Sequence, residues 1–331
     1  MTAPKIFVTR RLPEETLNLL RAECEVSLWP HDAPPVPRDI LLWEVRDAQG
    51  LYAMLTDRID AAVMDAAPGL KVISNMAVGY DNIVVKEATA RRIPVGNTPG
   101  VLTETTADLA FALLLAAARR LQEGADYIRR GQWKTWIPFE LTGRDIHGKT
   151  LGLAGMGRIG AAVARRARGF DMPVIYHNRH RAPEREAETG ARYVSWGELL
   201  AQSDFISIHT PLTDETRHLF NAAAFQQMKR SAILINTSRG GTVDPLALYE
   251  ALKRGVIAYA ALDVTEPEPL PITHPLLTLP NCLIIPHLGS ASVATRMKMA
   301  TMAARNLLAG VKGEPLPHCV NPEVYGGRQA G

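Results

Sequence analysis

The sequence predicts an α/β protein of two domains built on parallel sheets with helices on both faces. Three observations predict it. Short β-branched runs alternate with helical stretches along the chain, and such alternation builds βαβ units. One strand candidate runs directly into a glycine-rich turn and then into an alanine-rich helix, over residues 150–169. The length, 331 residues, exceeds one ordinary core at about 100–200 residues per domain, and such a chain buries about three quarters of its unfolded surface without a staple or a metal.

Taken in order, strands are expected at residues 5–9, 51–55, 71–74, 150–154, 174–176, 205–208, 232–235, 258–262 and 283–285. Helical patterns lie between many of them, as at 13–22, 159–169 and 245–254. A long helix is expected from Thr103 to about Gln122. Thr103, Thr105 and Thr106 offer capping hydroxyls, and Glu104 and Asp108 suit the positive end of its dipole. Its centre, LAFALLLAAA, is apolar nearly all round, the mark of a helix buried on several sides. Pro99-Gly100 just before it punctuates the chain and marks a domain boundary. A second helix, Ala291 to about Leu308, follows the last strand and is expected to carry the chain back to the first domain. The polar, glycine-rich tail, residues 323–331, is expected to fray.

Composition excludes several classes. Hydrophobic residues are 47% and charged residues 21%, a globular rather than a disordered balance. The longest apolar run, residues 109–118, falls well short of the ~20 residues of a spanning helix, and the opening MTAPKIFVTR lacks a signal-peptide core. The 3 cysteines, Cys24, Cys282 and Cys319, are far apart and fall in no metal-binding spacing, so no metal site and a reduced, cytoplasmic setting are expected. A net charge of +3, from 37 basic and 34 acidic residues, leaves no basic stripe for nucleic acid. The cluster at 165–168 reads as a solvated helix face.

Gly155-Met156-Gly157-Arg158-Ile159-Gly160 sits between strand and helix, the context a dinucleotide turn requires. Gly155 permits the tight turn, Gly157 lets the backbone approach a pyrophosphate, and Gly160 lets the helix pack on the strand. Unpaired N–H groups of the helix N-terminus then meet the phosphates. After the next strand an NAD site expects an acidic residue. This chain has His177-Asn178-Arg179-His180-Arg181 instead. Arg179 and Arg181 suit a 2′-phosphate, so NADPH/NADP is the expected cofactor, with NADH as the weaker alternative.

Three further strands end in loops with chemistry. Thr237-Ser238-Arg239-Gly240-Gly241 follows one, Asp263-Val264-Thr265-Glu266-Pro267-Glu268-Pro269 the next, and Pro286-His287-Leu288-Gly289-Ser290 the third. Ligands of open α/β sheets sit beyond the strands' carboxyl ends, so an arginine, a glutamate and a histidine converge on one edge. Arginine clamps a carboxylate and polarises the adjacent carbonyl. Histidine gives a proton to the developing alkoxide, and a glutamate beside it favours its charged form. The fit is to reversible reduction of a 2-oxo acid. Gly79, in Ala77-Val78-Gly79-Tyr80-Asp81-Asn82 after the strand at 71–74, lets backbone come close to a ligand.

Together the glycine turn, TSRGG, DVTEPEP and PHLGSA resemble the four signatures of the D-2-hydroxyacid dehydrogenase family, in order and over nearly the whole chain. VGYDN, NTPGVLTETTADLAFALLLAAARR and DVTEPEPLPITHPLLTLPNCLIIPHLGSA are most similar to its glyoxylate/hydroxypyruvate reductases. The resemblance implies two doubly wound parallel-sheet domains with a cleft between them. One is a flavodoxin-like substrate domain of residues 1–101 plus 289–331, the other a Rossmann nucleotide domain of 102–288. It implies Arg239, Glu268 and His287 as the catalytic trio. Proline follows both Glu266 and Glu268, and the match to the family's EPLP selects Glu268. It implies substrate contacts at Val78, Gly79, Arg239, His287 and Trp136. Cofactor contacts would be Gly155, Gly157, Arg158, Ile159, Gly160, Asn178, Arg179, Arg181, Thr210, Thr237, Ser238, Arg239, Asp263, His287, Gly289 and Ser290. Asp263 alone equally reads as a cap for the next turn. Gly131–Pro138 resembles the segment by which relatives dimerise, so a homodimer with itself and a small 2-oxo acid substrate are the expected partners, with no nucleic acid and no membrane. The related 2-ketoaldonate (ketogluconate) reductases, NAD-dependent phosphite dehydrogenases and nicotinamide-sensing corepressors are the alternatives.

Overall fold

A computed structural model describes residues 3–326, which divide into two compact units, 3–102 with 292–326 and 103–291. In the first, β1 (Lys5–Val8), β2 (Glu25–Leu28), β3 (Gly50–Ala53), β4 (Val72–Asn75) and β5 (Val95–Gly96) form a parallel sheet in the order β2-β1-β3-β4-β5. This is the flavodoxin-like order. Helices α1 (Glu14–Arg21), α2 (Arg38–Glu44), α3 (Ala61–Ala66) and α4 (Val85–Ala90) connect the strands.

Because side chains alternate across a strand, the sheet buries two apolar faces. Phe7, Leu51, Ile73 and Val95 pack with Val45, Ile59, Val63 and Met64 on one. Ile6, Val8, Tyr52 and Val72 pack with Leu17, Leu20 and Leu307 on the other. Each such fully buried side chain contributes about 1.5–3 kcal/mol. Leu307 belongs to the C-terminal helix, Val293–Lys312, which docks here as expected. Tyr52 OH donates to Ala300 O (3.1 Å) and Ser74 Oγ to Ala303 O (2.7 Å).

The second unit begins with α5 (Thr103–Ala118) and α6 (Leu121–Arg129). Then come β6 (Leu151–Ala154), α7 (Arg158–Ala167), β7 (Val174–His177), α8 (Pro183–Thr189), β8 (Arg192–Tyr193), α9 (Trp196–Gln202) and β9 (Phe205–Ile208). The remainder is α10 (Ala222–Gln227), β10 (Ile233–Asn236), α11 (Pro245–Lys253), β11 (Tyr259–Leu262) and β12 (Cys282–Ile284). The parallel order β12-β11-β10-β9-β6-β7-β8 is the Rossmann arrangement with one strand added. The fold class is the one expected.

Register places the site. Ala154 pairs with His177 and with Ile208, Ile208 with Asn236, Asn236 with Leu262, and Leu262 with Ile284. Six strands therefore stop on one line, and the loops that follow them share one edge.

Some elements differ from expectation. The long helix stops at Ala118, where Arg144 N–H donates to Ala118 O (2.8 Å) and Arg120 turns left-handed (φ 52°) to start α6. The arginines at 165–168 do more than face solvent. Arg165 pairs with Glu104 and Glu188, and Arg166 with Glu104 and Asp108, fastening α7 to α5 and α8. The tail is ordered at its start, since Pro322–Tyr325 form a 3-10 turn and Tyr325 Oη accepts from Leu316 N (2.9 Å). Residues 327–331 of the expected frayed tail lie outside the described residues.

Candidate active site

The glycine turn follows β6. Gly155 has φ 106°, and a Cβ there would lie 2.7 Å from the carbonyl carbon of His209, so only glycine fits. A Cβ on Gly160 would lie 2.2 Å from Gly155 O, so that glycine lets α7 close on the strand. Gly157 differs: its Cβ would meet no heavy atom within 4 Å. It precedes Arg158 and Ile159, the first residues of α7, and its open face is the approach a pyrophosphate needs.

At the end of β7, Asn178 Oδ1 accepts from Met156 N (2.7 Å) and braces the turn. Arg179 is exposed, with Glu215 at 3.8 Å. Arg181 donates twice to Glu186, at 2.8 and 2.6 Å. The Arg181 bonds, with a third from Tyr176 OH, hold the Glu186 carboxyl down at about 2. Thr210 and Thr237 follow β9 and β10, and their buried hydroxyls make no hydrogen bond to any described residue. Ser238 Oγ donates to Thr210 O (2.5 Å). Buried polar atoms are ordinarily satisfied. Two orphaned hydroxyls beside a glycine-lined helix N-terminus fit a bound dinucleotide.

Arg239 is set by its backbone. Its carbonyl accepts from Asn236 Nδ2 (3.0 Å) and Thr242 Oγ1 (2.8 Å). A Cβ on Gly240 would lie 1.9 Å from Thr265 O, so the Arg239 loop and the loop after β11 touch there. That second loop opens with Asp263. Its buried carboxylate accepts from the N–H groups of Leu288 and Gly289, and its carbonyl from His287 N (2.9 Å). Asp263 thus caps the turn that carries His287, the simpler of its two readings. Burial raises its carboxyl pKa against the pull of the two amides and of His287. His287 sits in the left-handed region (φ 54°), uncommon for a residue with a Cβ and typical of residues held for function. Ser290, at the end of that turn, is buried.

The two glutamates separate. Glu268 Oε1 stands 2.5 Å from His287 Nδ1, and Glu268 Oε2 accepts from Thr265 N (3.3 Å). Burial pushes the Glu268 carboxyl up, but His287, Thr265 N–H and the Arg239 charge together hold it below its ordinary range. Glu266 is occupied by Arg217 (2.7 Å) and His218 (2.5 Å), a clamp that no sequence spacing signals. Val78 and Gly79 lie in the first unit, in the loop after β4. Trp136 lies in the irregular segment after α6, 76% exposed, with no hydrogen bond to a described residue. Chemically, the edge of the second unit offers a cation, a paired acid–base group and a phosphate-binding turn.

Residues 111–289 match the model of the D-isomer specific 2-hydroxyacid dehydrogenase NAD binding domain. A glyoxylate reductase of Korarchaeum cryptofilum is 53% identical over 99% of both chains. The chain belongs to the D-isomer specific 2-hydroxyacid dehydrogenase family. It falls in the glyoxylate reductase branch and is an oxidoreductase that uses a nicotinamide cofactor. Among solved structures, a Thermus thermophilus protein is 51% identical, with a TM-score of 0.89 over 96% of this chain and 99% of that one. The NADPH-dependent glyoxylate/hydroxypyruvate reductase of Sinorhizobium meliloti, in complex with NADP and malonate, is 35% identical, with a TM-score of 0.86 over 99% of this chain and 100% of that one. No helix among the described residues is long and apolar enough to cross a membrane.

Proposed function

We propose that this dehydrogenase reduces glyoxylate and hydroxypyruvate to glycolate and D-glycerate, with NADPH preferred over NADH. The observation that carries the reading is the His287–Glu268 pair on the same sheet edge as Arg239 and the Gly155–Gly160 turn. In this reading residues 102–288 bind the dinucleotide, and residues 1–101 with 289–331 bind substrate.

Arg239 and the amides of Val78 and Gly79 hold the substrate carboxylate, the guanidinium by two charge-assisted bonds. His287 Nε2 gives its proton to the carbonyl oxygen as negative charge develops there. Glu268, across the ring at Nδ1, favours the charged imidazole and fixes its orientation. When bound, the reduced nicotinamide would supply the hydride, two electrons with the hydrogen of the new C–H bond, that the carbonyl carbon takes up. Gly155, Gly157, Arg158, Ile159 and Gly160 hold the pyrophosphate, with Asn178 bracing them. Thr210, Thr237, Ser238, Asp263, Gly289 and Ser290 serve the nicotinamide half.

The NADPH preference is supported by the absence of any carboxylate among residues 177–181 and agrees with the NADPH dependence of the Sinorhizobium relative. Arg181 is committed to Glu186, so the exposed Arg179 carries most of the 2′-phosphate recognition. The segment after α6 exposes Trp133, Trp136, Ile137 and Phe139 at 61%, 76%, 48% and 87%. Such an aromatic surface favours burial against a second copy of the chain, so a homodimer completes the reading, with Trp136 reaching the partner's substrate.

The test is a panel followed by loss of reduced-nicotinamide absorbance with glyoxylate, hydroxypyruvate and 2-ketogluconate, and by its gain with phosphite and NAD. Turnover of glyoxylate and hydroxypyruvate is expected. Turnover of ketogluconate alone, of phosphite alone, or cofactor binding with no turnover would each replace the reading.

A further inference from the structure

We propose that Asn75 and Asn97 are positioning residues, which aim two consecutive backbone N–H groups, those of Gly79 and Tyr80, at the substrate carboxylate, beside the N–H of Val78 that the Thr98 backbone aims in the same way. The proposal rests on the reading above that the substrate is a small 2-oxo acid.

In a planar trans peptide the N–H points opposite to its own carbonyl. Whatever holds the carbonyls of residues 77–79 therefore directs the N–H groups of residues 78–80. Each of those carbonyls is held. Ala77 O accepts from Thr98 N (2.9 Å), Val78 O from Asn97 Nδ2 (2.8 Å) and Gly79 O from Asn75 Nδ2 (3.0 Å). All three donors come from the end of β4 and the segment just after β5, its neighbour in the sheet. The carbonyls are drawn back to the strand ends, and the three N–H groups face the other way. None of the three donates a hydrogen bond to any described residue. Val78 and Gly79 are half-buried and Tyr80 is exposed; half-buried amides ordinarily find a partner, and a run of aligned N–H groups is an anion receptor.

The two asparagines are themselves fixed. Asn75 is fully buried, and its Nδ2 also donates to Asn82 Oδ1 (3.1 Å). Asn82 Nδ2 in turn donates to Met54 O and Asp57 O, both at 3.0 Å. Asn97 N donates to His318 O (3.3 Å), and Asn97 O accepts from Asn306 Nδ2 (2.9 Å). An aspartate at position 97 would set a charged acceptor against the Val78 carbonyl, so the role requires an amide donor.

The experiment compares Asn97→Ala, Asn97→Asp and Asn75→Ala with the parent enzyme on two substrates, glyoxylate and its uncharged methyl ester, using NADPH. The ratio of kcat/KM for glyoxylate to that for the ester is expected to fall about tenfold, the loss of one hydrogen bond to a charged group, and chiefly through KM. An equal loss on both substrates would mark a merely structural defect and overturn the proposal. Asn75 is buried and its variant is the one at risk of unfolding, so a second measurement avoids substitution. Protein labelled with 15N at valine, glycine and tyrosine is titrated with oxalate. Oxalate-dependent shifts of the Val78, Gly79 and Tyr80 amides are expected, and silence at all three overturns the proposal. Shifts at these amides in a protein that reduces neither substrate would sink the reductase reading and leave the positioning intact.

Discussion

Nδ1 of His287 and Oε1 of Glu268 stand 2.5 Å apart, and Nε2 of the same ring has no partner among the described residues. One end of the imidazole is thereby committed to a carboxylate, and the other is left open. The carboxylate also fixes the orientation of the ring. In Glu268→Gln that charge-assisted contact is gone, so kcat/KM for glyoxylate is expected to fall about tenfold or more. Steady-state kinetics of the two proteins on glyoxylate reads this. An unchanged kcat/KM would show that the pair does not serve the reaction.

The glycine turn yields a contrast between two neighbouring substitutions. Gly157→Ala adds a methyl group to open space, whereas Gly160→Ala drives one into Gly155 O at 2.2 Å. Gly157→Ala is therefore expected to melt like the parent but to bind NADPH at least tenfold more weakly. Gly160→Ala is expected to lose about 1–3 kcal/mol of stability, the usual cost of overpacking. Thermal melts with and without NADPH separate the two. Equal melting temperatures for both variants without cofactor would contradict the assignment.

These positions show how much was legible in the sequence and why. The glycine turn, Arg239 and His287 are readable because each stands in a short motif at the end of an apolar strand, whereas Glu268 is told from Glu266 only by the resemblance to the family's EPLP. That the loops share an edge depends on register between strands far apart in the chain, which only the structure supplies. The half-exposed β2 and β8 and the two-residue β5 escaped notice because edge and very short strands lack apolar runs. The break after Ala118 escaped because the left-handed residue there is Arg120, where glycine would have signalled it. The Asn97 contact and the clamp on Glu266 escaped because their partners are 19 and 48–49 residues away, and Asn75 escaped because a buried amide at a strand end carries no sequence signal of its own.

The two arginines proposed to favour NADPH are unequal in the structure. Arg181 already bonds Glu186, whereas Arg179 is exposed with only a 3.8 Å approach to Glu215. Arg179→Ala is expected to weaken NADPH binding about 10- to 100-fold, the worth of a charge-assisted phosphate contact, with NADH binding little changed. Arg181→Ala is expected to have the smaller effect. Titration calorimetry with both cofactors measures the difference, and unchanged NADPH affinity in the double variant would remove the basis for the preference.

His209 predicts a pH dependence of stability. Its ring is mostly covered, with Nε2 2.9 Å from Ser207 Oγ, and burial lowers its pKa to about 4. The unfolded chain, at about 6.5, binds the proton first. Stability from this group is thus complete above about pH 6.5 and is lost as pH falls toward 4, by about 3 kcal/mol at most. Denaturant unfolding from pH 7 to 4 in the parent and in His209→Gln should show a shallower decline in the variant. Parallel declines would mean that His209 titrates alike in both states.

The central claim is that His287 delivers the proton in reduction of a 2-oxo acid. The most direct measurement is single-turnover loss of NADPH absorbance with glyoxylate, comparing the parent with His287→Ala at equal cofactor occupancy. The account predicts rapid loss in the parent and a drop of about 10²–10⁴-fold in the variant, with NADPH affinity within a few-fold. A variant that turns over glyoxylate at the parental rate while binding NADPH normally would contradict it.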